Sequence, residues 1–169
     1  PAEQVHARNV VLLADDELIG SVLLCPLSFQ GCRILKLERD YKEADGKKAE
    51  KLMAIQDFEG LSMDGSTAYL LGSHQGKSGK QRPDREFLLR ATYKVTEDKG
   101  EKKLELKVTD KNDDRRDLFR LLAKSLPYDP QDLGSINLEG LAVCGGTVYI
   151  GARSPLAKDN SAIVLSASV

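Results

Sequence analysis

Over much of the chain the apolar positions recur with a period of two. Leu104, Leu106 and Val108 alternate with Glu105 and Lys107, so Lys103 to Thr109 reads as a strand with one buried and one wet face. Phe87 to Val95 pairs with it through the polar stretch Thr96 to Lys102. Shorter Leu-rich and β-branched runs predict strands at Asn9 to Ala14, Ser21 to Leu27 and Arg33 to Glu38. Gly60 to Met63 and Thr67 to Gly72 flank a turn at Asp64-Gly65, and further strands are expected at Gly140 to Val143, Thr147 to Ala152 and Ala162 to Ser168. The period changes once. Leu118, Leu121, Leu122 and Leu126 have helical spacing, with Asp113 and Asp114 at the start and Lys124 near the end, as the helix dipole prefers. A helix is therefore expected over Asp113 to Leu126, stopped by Pro127 and Pro130. The glycine-bearing, basic stretch from His74 to Arg85 has no pattern and reads as a surface loop.

Within this alternation one unit occurs twice. Asp57-Phe58-Glu59-Gly60-Leu61 opens a strand-turn-strand stretch ending at His74, and Asn137-Leu138-Glu139-Gly140-Leu141 opens its echo eighty residues later. Ungapped, the two share Glu-Gly-Leu, then a Gly, a Thr and a Tyr, with Asp57 facing the near-isosteric Asn137. Such a repeat is primarily a statement about architecture. The four consecutive strands from Gly60 to Thr109 have the content of one propeller blade. The expected fold is an all-β, partial β-propeller of about two to three blades, a single domain with approximate blades 9–55, 57–110 and 137–169 and a helical insertion at 113–126. A closed propeller has at least about four blades, so ring closure calls for further chain segments or a homo-oligomer.

Composition narrows the partners. With 169 residues, 41% hydrophobic, 30% charged and a formal charge of −1, the chain has the profile of one globular domain. It has no general attraction for nucleic acid or an anionic membrane surface. No apolar run approaches the roughly 20 residues of a membrane span, and Pro1-Ala2-Glu3-Gln4 lacks the basic and apolar regions of a secretory signal. Cys25, Cys32 and Cys144 form no CxxC pair. Their odd number favours free thiols and a reducing, cytoplasmic setting, with a periplasmic one open if a signal peptide has been removed. A Cys25 to Cys32 disulfide stays open beside that reading.

The two motifs carry a family resemblance. Asp57-Phe58-Glu59-Gly60-Leu61, Gly72-Ser73-His74 with Arg82-Pro83 and Arg85 behind it, Ile136-Asn137-Leu138-Glu139-Gly140-Leu141 and Arg153-Ser154-Pro155-Leu156 resemble, in order and spacing, a bacterial domain-of-unknown-function family of β-propeller-like proteins. The likeness covers roughly Ile55 to Val169; before it, only Leu13-Ala14-Asp15-Asp16-Glu17 is similar to that family's first blade. Members of the family are longer, with further strands on either side. More distantly, the Glu-Gly-Leu strand is similar to the innermost strand of esterase-like phytase and lactonase-type propellers, where a Glu faces a central metal.

Two constellations follow. If each motif is the inner strand of its blade, Asp57, Glu59, Asn137 and Glu139 point toward one axis, and such oxygen ligands suit Ca²⁺ or Mg²⁺, which would polarise a phosphoryl or ester oxygen or activate water. The competing account makes each Glu a repeated latch, satisfied by backbone amides of the neighbouring blade. Asp15-Asp16-Glu17 either adds carboxylates to the same mouth or is a solvated turn. The second constellation is His74 with the basic loop. His74 is the candidate general base. Arg82, Arg85 and Arg153, which lie in the family-like motifs, are the candidate anion ligands, because a guanidinium fork makes two parallel hydrogen bonds. Arg90 belongs to the same constellation, while Lys77 and Lys80 read as ordinary solvated cations. Nothing matches a phosphate loop, a nucleophile elbow or a zinc signature. The expected function is binding of a small anionic ligand or a partner at the channel mouth. A divalent-metal phosphate or ester hydrolase and a purely structural interaction module stand beside it.

Overall fold

A computed structural model describes residues 10–39, 55–74, 85, 87–98, 101–108 and 136–168. These form ten strands and no helix: β1 Val10–Leu13, β2 Ser21–Pro26, β3 Arg33–Arg39, β4 Phe58–Asp64, β5 Thr67–Gly72, β6 Leu88–Asp98, β7 Glu101–Val108, β8 Asn137–Cys144, β9 Thr147–Ser154 and β10 Ile163–Ser168. The protein is all-β over this range, and every strand expected from the alternation is present with its ends moved by a few residues. The helix expected over Asp113 to Leu126 lies outside the described residues, as does Arg82.

Three antiparallel sheets result. β1-β2-β3 and β7-β6-β5-β4 are joined edge to edge by a short parallel ladder from Leu37↔Leu106 to Arg39↔Val108, while β10-β9-β8 stands apart. The β4–β5 and β8–β9 hairpins have the same register: Asp64 pairs with Thr67 as Cys144 pairs with Thr147, and Gly60 with Leu71 as Gly140 with Gly151. Gly145 and Gly146 both have positive φ (57° and 75°), the backbone a two-residue type I′ turn requires; in β4–β5 only Gly65 does (57°), since a different primed turn serves there.

The core lies on both sides of β5. Ala68 and Leu70 point into a cluster with Val22, Leu37, Phe58 and Leu89, whereas Tyr69 and Leu71 point into a second with Leu138, Val148, Ile150 and Leu165. Alternate residues of β5 thus serve two cores, which is why the strand reads as continuously apolar rather than alternating. The second cluster fastens β8–β10 to β4–β6, helped by Leu138 N donating to Ser73 O at 2.9 Å and Val143 N to Ser62 Oγ at 2.9 Å.

One expectation is corrected. Cys25 and Cys32 are bridged across the β2–β3 connection, leaving Cys144 as the exposed free thiol. The strands β2 and β3 are antiparallel, so the register itself brings the two ends of the intervening loop together. The bridge removes the thiol argument for a reducing compartment.

Candidate functional site

The described candidate residues gather where β4 and β8 begin. In β4 the register steps from Phe58↔Gly72 to Gly60↔Leu71, and in β8 from Leu138↔Ala152 to Gly140↔Gly151, so two residues oppose one in each. Glu59 and Glu139 are the extra residues of equivalent β-bulges. A bulge takes its residue out of the ladder and re-aims the side chain, which singles out the Glu of each Glu-Gly-Leu motif from its strand.

Asp57 is fixed first. It adopts φ 67°, a left-handed backbone conformation that Asp tolerates better than most residues. Its Oδ2 accepts from Ser73 Oγ and from Arg85 Nη1 at 2.9 Å. With side chains only 16% and 19% exposed, the Asp57–Arg85 pair is largely withdrawn from water. Asp57 is thus committed to an ion pair within the chain, and Arg85, an expected anion ligand, is its partner. Ser73, which the sequence did not single out, ties this pair to β8, since its carbonyl receives Leu138 N.

Glu139 is also paired. Arg153 Nη1 donates to its Oε1 at 2.6 Å, and Asn137 Nδ2 donates to the same oxygen at 3.2 Å. Here the side chains are 68% and 39% exposed, so the guanidinium keeps most of its surface in solvent and the pair contributes little to stability. Asn137 Oδ1 is buried and has no partner among the described residues.

Glu59 differs from its twin, because no hydrogen bond or ion pair of its carboxylate occurs among the described residues. Burial raises its pKa above the ordinary carboxylate value, and the negative charges of Asp57, Glu139 and Asp16 raise it further against the opposing Arg85. The two motifs and the acidic turn after β1 are therefore within electrostatic reach of one another. Among the described residues, however, no group of three or more His, Cys, Asp or Glu side chains is placed to hold a metal ion. Asp57 and Glu139 are held by arginines, which is why the four oxygen-bearing residues do not close on one point.

His74 is 1% exposed, with φ 65° and Nδ1 at 2.8 Å from Gly72 O. Burial lowers its pKa to about 4. It is neutral at physiological pH and lies inside the protein, out of reach of a solvent-borne substrate in this conformation. That position does not suit the general base expected of it. Arg90, on β6, is exposed.

The sequence missed Ser73 and the close approach of Gly60 to Leu141, where a Cβ at Gly60 would lie 2.6 Å from Leu141 Cβ. The repeat carried a signal for the second: Gly at the same place in both motifs marks a backbone that something approaches closely. No protein-family model, curated protein or solved structure matches the chain.

Proposed function

We propose that the chain is a non-catalytic binding protein of β-propeller type, and that the rim at the start of β4 and β8 holds a small ligand carrying both an anionic group and a hydrogen-bond donor. The observation that carries this reading is the asymmetry between the two bulges. Glu139 is occupied by Arg153, whereas Glu59 has no hydrogen-bond or ion-pair partner among the described residues and lies within electrostatic reach of that exposed guanidinium. Arg153 offers a fork for a carboxylate or phosphate, and the Glu59 carboxylate offers an acceptor for a hydroxyl or amine. A purely anionic ligand fits less well, since among the described residues Asp16, Asp57, Glu59 and Glu139 outnumber Arg85 and Arg153.

The test is thermal stability with inorganic phosphate, malate or glutamate at about 10 mM, because a ligand that binds only the folded state must raise the transition temperature. Malate or glutamate should give the larger shift, lost in Arg153→Ala and in Glu59→Gln. No shift with any of the three removes the binding reading.

The divalent-metal hydrolase is the second reading, favoured by one observation: the mutual electrostatic reach of Glu59, Glu139 and Asp16. A stabilising shift with Ca²⁺ or Mg²⁺ that disappears in Glu59→Gln and in Glu139→Gln would establish it over the first.

A further inference from the structure

β8–β10 has one covered and one open face, and the open one matches, position by position, a face covered elsewhere in the same chain. Gly140 corresponds to Gly60, Tyr149 to Tyr69 and Val164 to Leu88: Gly151 pairs with Gly140 and Val164 as Leu71 pairs with Gly60 and Leu88. On β4–β6 that face is filled by β8–β10. Leu141 sits on Gly60, and Tyr69 and Leu88 are 7% and 1% exposed. On β8–β10 a Cβ at Gly140 would meet only Gly151 at 3.5 Å, an ordinary contact, while Tyr149 and Val164 are 43% and 64% exposed. Glycine in a strand interior is unfavourable, and its usual justification is the close approach of another backbone. At Gly60 that approach is visible; at Gly140 the space is kept and nothing described fills it.

We infer that the outer face of β8–β10 seats one further antiparallel sheet built on a Glu-Gly-Leu strand, with the leucine of that strand over Gly140. The interface continues the one between β4–β6 and β8–β10, and the face of one sheet repeatedly receives the opposite face of the next, which is a head-to-tail rather than a self-complementary contact. A second copy of the described residues is a poor occupant, because its own Glu-Gly-Leu leucines are engaged: Leu141 lies on Gly60, and Leu61 packs on the first core cluster. The inference does not depend on the ligand proposed for the rim.

The experiment supplies such a sheet in cis. Residues 136–168, carrying Tyr149→Phe, are appended after Val169 through a Gly/Ser linker of about 20 residues, which gives a high effective concentration without requiring the appended strands to fold alone. Docking should protect the appended amides from hydrogen exchange and slow nitration of the host Tyr149 several-fold. Host Gly140→Leu should abolish both effects while the host's own thermal transition persists. Unprotected appended amides with unchanged nitration overturn the inference. Protection that survives Gly140→Leu also overturns it, because the leucine seat is then unused. Concentration-dependent protection of Tyr149 in the unextended chain would show that a second copy occupies the face, and would equally refute it.

Discussion

At the scale of single residues, glycine and histidine decide more than the acids do. Gly60 and Gly140 are sequence twins in different surroundings, so the same substitution should have opposite consequences. In Gly60→Ala the new methyl collides with Leu141, whose Cβ and N lie at 2.6 and 3.3 Å, and the overpacking should cost about 1–3 kcal/mol. Gly140→Ala meets no such obstacle and should be neutral or gain about 0.5–1 kcal/mol from reduced chain entropy. Urea midpoints of the two variants at one pH check this directly, and equal losses would contradict the packing described. His74 makes a second residue-scale prediction. Its pKa is about 4 in the fold against 6.5 for the ordinary group. The unfolded chain therefore binds a proton first, so the contribution of His74 is intact above pH 6.5 and is lost as pH falls toward 4. The whole swing is on the order of 3 kcal/mol. His74→Asn, which tolerates positive φ, should flatten the dependence of unfolding free energy on pH in that window. Glu59 has the opposite sign: its raised pKa favours the fold while it is protonated, and that contribution is lost as pH rises from 4.5 through the raised value. Glu59→Gln separates the two effects, because it should leave the His74 slope in place. None of this was legible in the sequence, where His74 stood at a strand end beside basic residues. Its burial depends on what packs behind Gly72, and a period of two does not report that.

At the scale of elements the alternation was a sound guide. Each expected strand exists because its side chains divide between a wet and a dry face, or, in β5, between two dry ones, and both are local properties of the chain. The bulges at Glu59 and Glu139 were not readable, since one extra residue leaves the apolar pattern of the short motif almost unchanged. They matter all the same, because they place both glutamates outside the ladder. The β2–β3 connection was legible only as an alternative, as antiparallel pairing had to be known before Cys25 and Cys32 could be placed together. Their bridge makes two predictions for this element. Without reductant, the native chain should titrate one accessible thiol, Cys144. Reduction, or the double replacement Cys25→Ser with Cys32→Ser, should lower stability by about 2 kcal/mol, the loop-closure value for so short a ring. Three reactive thiols in the native, unreduced chain would disprove the bridge.

At the scale of the whole molecule the question is how independently the sheets behave. β1–β3 and β4–β7 share a ladder through β3 and β7, whereas β8–β10 has no strand pairing with either among the described residues. Its attachment is the second apolar cluster, together with the bonds from Leu138 N to Ser73 O and from Val143 N to Ser62 Oγ. Alternating patterns predicted that both sheets would have a buried face, but they do not say which face meets which, so this docking was beyond the sequence until Leu141 was seen on Gly60. The arrangement implies a hierarchy of opening. Leu138 is fully buried at the centre of the attachment, and Leu138→Ala should cost about 2–5 kcal/mol. Because the loss falls on a contact between sheets rather than within one, hydrogen exchange should accelerate together across β8, β9 and β10 while β5 and β6 change less. Phe58→Ala supplies the contrast. It removes the edge-to-face contact with Phe87, whose ring centroid is 5.2 Å away, in the first cluster, and should loosen β1–β7 while leaving the pairing of β8 with β9 protected. If Leu138→Ala instead accelerates exchange equally in every strand, the two clusters form one cooperative unit. The separate character of β8–β10 would then be a matter of topology alone.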